Sequence, residues 1–212
     1  MKNHKKGKKM SKISKDKILQ ACTKGIKKSF NEYLEWSADE WLWNAPEYLL
    51  TVNIAKKLWM IKKTSKYITL EDNLKKTLKS ADAKIKGQLK SSIRPDGRSD
   101  IIFWWGKGTP RGIIEVKNGI YRKEQIQEDL ERIYGILEKE SDIEFGISTF
   151  YIDRYYESGN AKEKLETRIQ NEFIEPIEGE CKEKGFVVKY NTQNIIMEDN
   201  QGAYAVAIMI CK

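Results

Sequence analysis

Apolar residues recur at helical spacing over residues 18–34, through Ile18, Ala21, Cys22, Ile26, Phe30, Tyr33 and Leu34, and predict an amphipathic helix at the start of the folded body. Ser37 followed by Glu40 has the form of a capping box. Pro46 then stands where a first helical turn tolerates proline, ahead of Leu49, Leu50, Val52, Ile54, Leu58 and Ile61. A second helix is expected to run to about Lys63, with Glu47 near its start. Residues 67–70 have the pattern of a short strand, and 73–90 read as lysine-rich helix or linker.

The stretch from 94 to 152 is the most patterned. Arg-Pro-Asp-Gly-Arg at 94–98 is a turn signal, and Asp-Ile-Ile-Phe-Trp-Trp at 100–105 reads as a strand. After a turn at 106–110, Gly-Ile-Ile-Glu-Val-Lys at 112–117 reads as a second strand, most simply the other arm of a β-hairpin. Ile126, Leu130, Ile133, Tyr134 and Leu137 give residues 121–139 a helical period, and 143–152 return to strand. Residues 159–183 are mostly helical in pattern, with further strands expected at 186–190 and 203–211. One mixed α/β domain, residues 18–212, accounts for everything after a flexible arm at 1–17.

Composition narrows the chemistry. With 212 residues, 40% hydrophobic and 33% charged, the chain is globular with a polar surface. No apolar run approaches the roughly 18 residues of a membrane span. The N-terminus is basic but lacks the apolar segment of a secretion signal, and the three cysteines, Cys22, Cys181 and Cys211, are odd in number and far apart. A reducing cytoplasm fits best, with no membrane partner. The single histidine, His4, sits in a lysine-rich leader. That excludes zinc sites built from Cys and His clusters and hydrolases that need a histidine base.

Charge is unevenly spread. Residues 1–30 hold eleven lysines against Asp16, a charge of +10, so the chain's net +8 leaves −2 for everything after residue 30. Residues 56–90 carry a second excess, eleven lysines against Glu71, Asp72 and Asp82, whereas 99–212 hold 15 bases and 21 acids. Clustered lysine attracts phosphate backbones through counterion release, so nucleic acid is the natural partner, with Lys5, Lys6, Lys8 and Lys9 in the arm as backbone contacts. A solvated leader that aids solubility is the plainer reading of the same residues. Binding of another acidic partner is a third.

Hydrolysis of a phosphodiester at neutral pH calls for a hard divalent cation held by carboxylates. Strand geometry puts Glu115 and Lys117 on one face and sends Val116 to the other with Ile114. If the 100–105 strand is the hairpin partner, Asp100 lies beside Glu115 with a lysine next to the pair. The triplet alone carries little, because 21 Glu and 32 Lys give about three Glu-x-Lys triplets by chance, and Glu180-Cys-Lys182 is another. Its setting is what counts: the charges of Glu115 and Lys117 interrupt an apolar run, where they require a partner or a function.

Here the segment resembles the PD-(D/E)xK, or restriction-endonuclease-like, nucleases. The resemblance rests on Gly-Arg-Ser-Asp-Ile-Ile-Phe at 97–103, Gly-Ile-Ile-Glu-Val-Lys at 112–117, and the helix and strand that follow. It implies an α/β fold with a central mixed sheet flanked by helices, in the order α-β-β-β-α-β over about 46–152, and a C-terminal α/β extension at 153–212 available for specificity or a homodimer contact. It further implies that Asp100 and Glu115 hold Mg²⁺, for which Mn²⁺ substitutes, that the Val116 carbonyl contributes, and that Lys117 assists the attacking water. Many members add an acid from the helix before the sheet, for which Glu47 is the best match and Glu71 the rival. Gln125 or Gln127 could take the glutamine role seen on the next helix, although the Gln-x-x-x-Tyr pattern is absent. The implied activity is a metal-dependent endonuclease acting on double-stranded or branched DNA, in restriction, phage defence, or repair and recombination. A catalytically silent DNA-binding protein of the same fold is the alternative.

Structural roles are open to the same residues. Asp100 could satisfy backbone donors at a strand start, Glu115 and Lys117 could form a surface ion pair, and Glu47 could serve only its helix N-terminus. Arg94 and Arg98 would clamp a phosphate or decorate a turn. Asp129 and Arg132, three apart on the next helix, read as an exposed pair. Of the tryptophans, Trp36, Trp41 and Trp43 cluster before the second helix and Trp104 and Trp105 end a strand; core packing is favoured over base stacking.

Overall fold

The computed structural model describes residues 13–61, 66–84, 93–94 and 96–212. Its first helix, α1 (Lys15–Trp36), starts at Ser14, whose Oγ accepts the Lys17 N–H at 3.4 Å, and buries Ile18, Leu19, Cys22, Ile26 and Phe30 along one side. Ile13 is already buried, so packing begins ahead of the expected residue 18. Ser37 does not open a helix as its spacing from Glu40 suggested. It ends α1, donating its N–H to Tyr33 O at 3.0 Å, and Ala38 and Asp39 adopt positive φ to turn the chain. A short 3₁₀ turn at Leu42–Asn44 leads to α2 (Glu47–Met60), entered through Pro46.

The chain continues as β1 (Lys66–Asn73), α3 (Leu74–Ser80), β2 (Arg98–Trp105), β3 (Pro110–Lys117), a 3₁₀ turn at Lys123–Ile126, α4 (Gln127–Leu137) and β4 (Phe145–Tyr155). The order expected over 46–152 is present, with the short α3 interposed. Then follow α5 (Ala161–Ile169), a π-helical turn at Gln170–Ile174, α6 (Glu175–Glu183), β5 (Val187–Met197) and β6 (Gln201–Cys211). The six strands form one open mixed sheet in the order β1-β2-β3-β4-β6-β5, in which β3 and β4 are parallel and every other pair is antiparallel. The C-terminal strands therefore extend the same sheet: β6 pairs with β4 along its whole length, from Phe145 opposite Cys211 to Tyr155 opposite Gln201.

Both faces of the sheet are covered. On one, α1 and α2 bury Ile26, Phe30, Leu50 and Ile54 against Ile101, Phe103, Ile114, Val116 and Ile147. On the other, α3, α4, α5 and α6 cover Ile102, Trp104, Ile113, Phe150, Val206 and Ile208. Double coverage explains why β3 reads as a nearly continuous apolar run rather than an alternation. Two glycines set the layer spacing. A Cβ on Gly25 would meet Ile54 of α2 at 2.5 Å, and one on Gly146 of β4 would meet Ile133 of α4 at the same distance. The second approach draws α4 down onto the sheet beside β3.

The tryptophans divide. Trp104 is buried, stacks on Tyr67 with centroids 5.3 Å apart and donates Nε1–H to Thr69 Oγ1 at 2.7 Å, while Trp105 carries the Arg111 guanidinium at 4.6 Å. Trp36 and Trp43 are more than half exposed, which corrects the packing role favoured for them. Among the described residues, no helix is long and apolar enough to cross a membrane.

Candidate active site

The β2–β3 hairpin has Ile101 opposite Ile114 and Ile102 opposite Ile113, a register that brings Asp100 alongside Glu115. Asp100 Oδ2 accepts the Val116 N–H at 2.7 Å. Ile102 and Trp104 of β2 and Ile113 of β3 belong to the α4 side of the core, whereas Ile114 and Val116 belong to the α1/α2 side. By strand alternation, Asp100, Glu115 and Lys117 all stand on the α4 face. Together with Arg94, Arg98, Gln125, Asp129 and Arg132 they line a cleft of about 390 Å³.

Glu47 arrives from the opposite layer. It is the first residue of α2 and reaches round the end of β3, placing Oε1 3.6 Å from Lys117 Nζ and accepting the Asn118 N–H on Oε2 at 3.2 Å. Asn118 makes this possible: its Nδ2 donates to Leu42 O at 2.7 Å and Ala45 O at 2.8 Å, tying the entry to α2 against the end of β3. Sequence reasoning missed Asn118. Its only signal was its place directly after Lys117.

Helix α4 supplies the other unforeseen pair. Asp129 and Arg132 are not an exposed pair: both are buried, and both face the carboxylates. Arg132 Nη1 donates to Glu115 Oε2 at 2.9 Å and stands 3.7 Å from Asp129 Oδ1; Asp129 Oδ2 stands 3.7 Å from Lys117 Nζ. Glu115 and Lys117 are therefore not paired with each other at the surface. Each is matched by an oppositely charged residue of α4. The helix is covered on more than one side, so its polar positions nearest the apolar stripe turn inward.

The remaining expected residues are peripheral. Glu71 is exposed on β1 and acts on Asp100 only through its charge. Gln125 lines the cleft, but its Oε1 accepts the Tyr121 and Arg122 N–H groups at 2.7 and 3.0 Å and so serves as a helix cap; Gln127 Oε1 accepts from Lys123. Arg98 is exposed at the cleft, and Arg94, also at the rim, is paired with Glu128. Val116 buries its side chain on the far face of the sheet. Lys5, Lys6, Lys8 and Lys9 lie outside the described residues.

Electrostatics follow from burial and crowding. Burial, helped by the charges of Asp100 and Asp129 and opposed by Arg132, pushes the Glu115 carboxyl up to about 7. Asp100, Asp129 and Glu47 are raised as well, each chiefly by burial. Burial alone would lower Lys117. Asp129, Glu47, Asp100 and Glu115 together outweigh it and hold the ammonium above the ordinary lysine value. Lys117 is thus a cation at neutral pH, suited to orienting a water or stabilising an anion rather than to removing a proton.

Among the described residues, no group of three or more His, Cys, Asp or Glu side chains is arranged as a ligand set. A magnesium-type site does not need one, since Mg²⁺ is often held by one or two carboxylates, with water and substrate phosphate completing the shell. Asp100 and Glu115 fit that smaller role. They are adjacent carboxylates, the buried Glu115 Oε1 has no hydrogen-bond partner among the described residues, and the lining of the cleft holds five acids against four bases. No protein-family model matches the chain, and comparison with curated proteins and with solved structures gives no match.

Proposed function

We propose that this chain is a metal-dependent endonuclease of the restriction-endonuclease-like kind, hydrolysing DNA phosphodiester bonds. The observation that carries the reading is the sharing of one sheet face and one polar cleft by Asp100, Glu115 and Lys117. Asp100 and Glu115 would hold Mg²⁺ or Mn²⁺, which when bound polarises the scissile phosphate and lowers the pKa of water. Lys117, kept charged and fixed between Glu47 and Asp129, orients the attacking water and offsets charge building on the phosphate oxygens. Glu47 and Asn118 hold that lysine at the open end of β3. Arg94 and Arg98 at the cleft supply backbone contacts to a phosphate next to the site.

A catalytically silent DNA-binding protein is the second reading, and Arg132 favours it: a guanidinium already occupies one oxygen of Glu115. The two readings part in one experiment. Linear, nicked, branched and single-stranded DNA are incubated with the protein and Mg²⁺ or Mn²⁺, and the products are sized. Divalent-dependent cleavage supports the nuclease; binding without cleavage on every substrate supports the silent scaffold.

A further inference from the structure

Two buried polar atoms in the cleft, Glu115 Oε1 and Arg132 Nε, have no hydrogen-bond partner among the described residues, and a third, Asp129 Oδ2, has only the Lys117 ammonium at 3.7 Å. They belong to a single chain of charges. Arg132 uses Nη1 on Glu115 at 2.9 Å, lies 3.7 Å from Asp129 Oδ1, and points no hydrogen bond at Asp129. Buried charges normally saturate their hydrogen bonds, and a network left half satisfied is poised to rearrange. Arg132 has two carboxylates within ion-pair reach, and it is bonded to the one that a cation would need.

We infer that Arg132 is a displaceable placeholder at Glu115: cation entry at Asp100 and Glu115 shifts its guanidinium off Glu115 and into hydrogen-bond contact with Asp129, already 3.7 Å away. In the second arrangement Glu115 is released, and Arg132 gains a hydrogen-bond acceptor in Asp129, whose Oδ1 faces Arg132 and whose Oδ2 faces Lys117. The exchange keeps every buried charge compensated in both states, so neither a lone buried carboxylate nor a lone guanidinium is created. Arg132 and Asp129 are then positioning residues that set cation affinity in opposite directions. The inference rests on the proposed cation role of Asp100 and Glu115, and it assigns a regulatory function to two residues outside that pair.

Calorimetric titration with Mn²⁺ alone, without DNA, tests it. Removing the competitor in Arg132→Gln should tighten binding on the order of ten-fold, and removing the acceptor in Asp129→Asn should weaken it by a similar factor. In the double variant the Asp129→Asn loss should vanish, because no guanidinium is left to rehouse. Unchanged affinity in Arg132→Gln, or an Asp129→Asn loss that persists in the double variant, overturns the inference. If the variants do not fold, the wild-type protein answers by NMR. The Arg132 Nε–H signal, assigned in the wild-type protein through its own side-chain carbons, should shift on saturation with Mg²⁺, and an unmoved signal overturns the inference. Wild type that binds Mn²⁺ with this pattern yet cleaves no DNA keeps the placeholder and sinks the nuclease. Absence of Mn²⁺ binding in both wild type and Arg132→Gln sinks both.

Discussion

Asn118 and Glu47 stand 71 positions apart in the chain and are joined by one hydrogen bond, the Asn118 backbone N–H donating to Glu47 Oε2 at 3.2 Å. The Asn118 side chain secures the approach from the other side through the Leu42 and Ala45 carbonyls. A residue with no catalytic atom of its own thus fixes where the α2 layer meets the end of β3, and with it the distance from Glu47 to Lys117.

Asn118→Ala removes two hydrogen bonds to carbonyls in the part-buried interior. It should lower unfolding free energy by about 1–3 kcal/mol in urea titration. It should also reduce divalent-dependent cleavage, because the entry to α2, which carries Glu47, loses its side-chain anchor at the end of β3 while the backbone bond to Glu47 remains; Asn118→Asp should behave the same way, since a carboxylate cannot donate to two carbonyls.

The pH dependence of stability has a definite sign. Glu115, Asp100, Asp129 and Glu47 all hold protons more tightly in the folded state than in the unfolded chain. For Glu115, the folded protein binds the extra proton between its ordinary value of 4.5 and about 7. Stability from these groups is therefore present below that window, falls as pH rises through it and levels off above. The Glu115 shift alone corresponds to on the order of 3 kcal/mol. Melting temperature should be higher at pH 5 than at pH 8, and Glu115→Gln should flatten the difference. An equal fall in the variant would place the effect elsewhere.

Addition of Mg²⁺ or Mn²⁺ should raise the melting temperature at pH 8 more than at pH 5, since ionised Asp100 and Glu115 gain most from a cation. Chelation with EDTA should return both values to the metal-free baseline. A rise of equal size in Asp100→Ala would show that the ion binds at another place.

Gly146 sets the height of α4 above the sheet, with Ile133 2.5 Å from where a Cβ would stand. Gly146→Ala should destabilise the protein by about 1–3 kcal/mol, read by urea titration, because α4 must lift away from the strands. Removing the two Ile133 γ-carbons that the new Cβ would meet, in Gly146→Ala/Ile133→Ala, should make the two losses less than additive.

The sequence made the hairpin legible because β2 and β3 are short apolar runs bounded by Gly and Pro turns, and strand alternation then settles which side chains share a face. What it concealed is long-range. Glu47 reaches Lys117 only through the tether at Asn118, which no local pattern announces. Asp129 and Arg132 looked like solvent-facing charges because a helical period assumes one buried stripe, yet α4 buries most of its circumference, including both of them. Residues 191–194 carry no apolar alternation because β5 is an edge strand with a polar sequence there; Asn191 meets Thr23 of α1 through a 2.7 Å hydrogen bond rather than an apolar contact. Burial of polar groups by a second layer is decided by the tertiary fold.

The most direct test of the central claim is cleavage of DNA by Asp100→Ala and Lys117→Ala proteins in Mg²⁺ or Mn²⁺, read beside their DNA affinity. If Asp100, Glu115 and Lys117 form one catalytic centre, each substitution abolishes divalent-dependent cleavage and leaves binding largely intact. Cleavage at wild-type rates in both variants would contradict it.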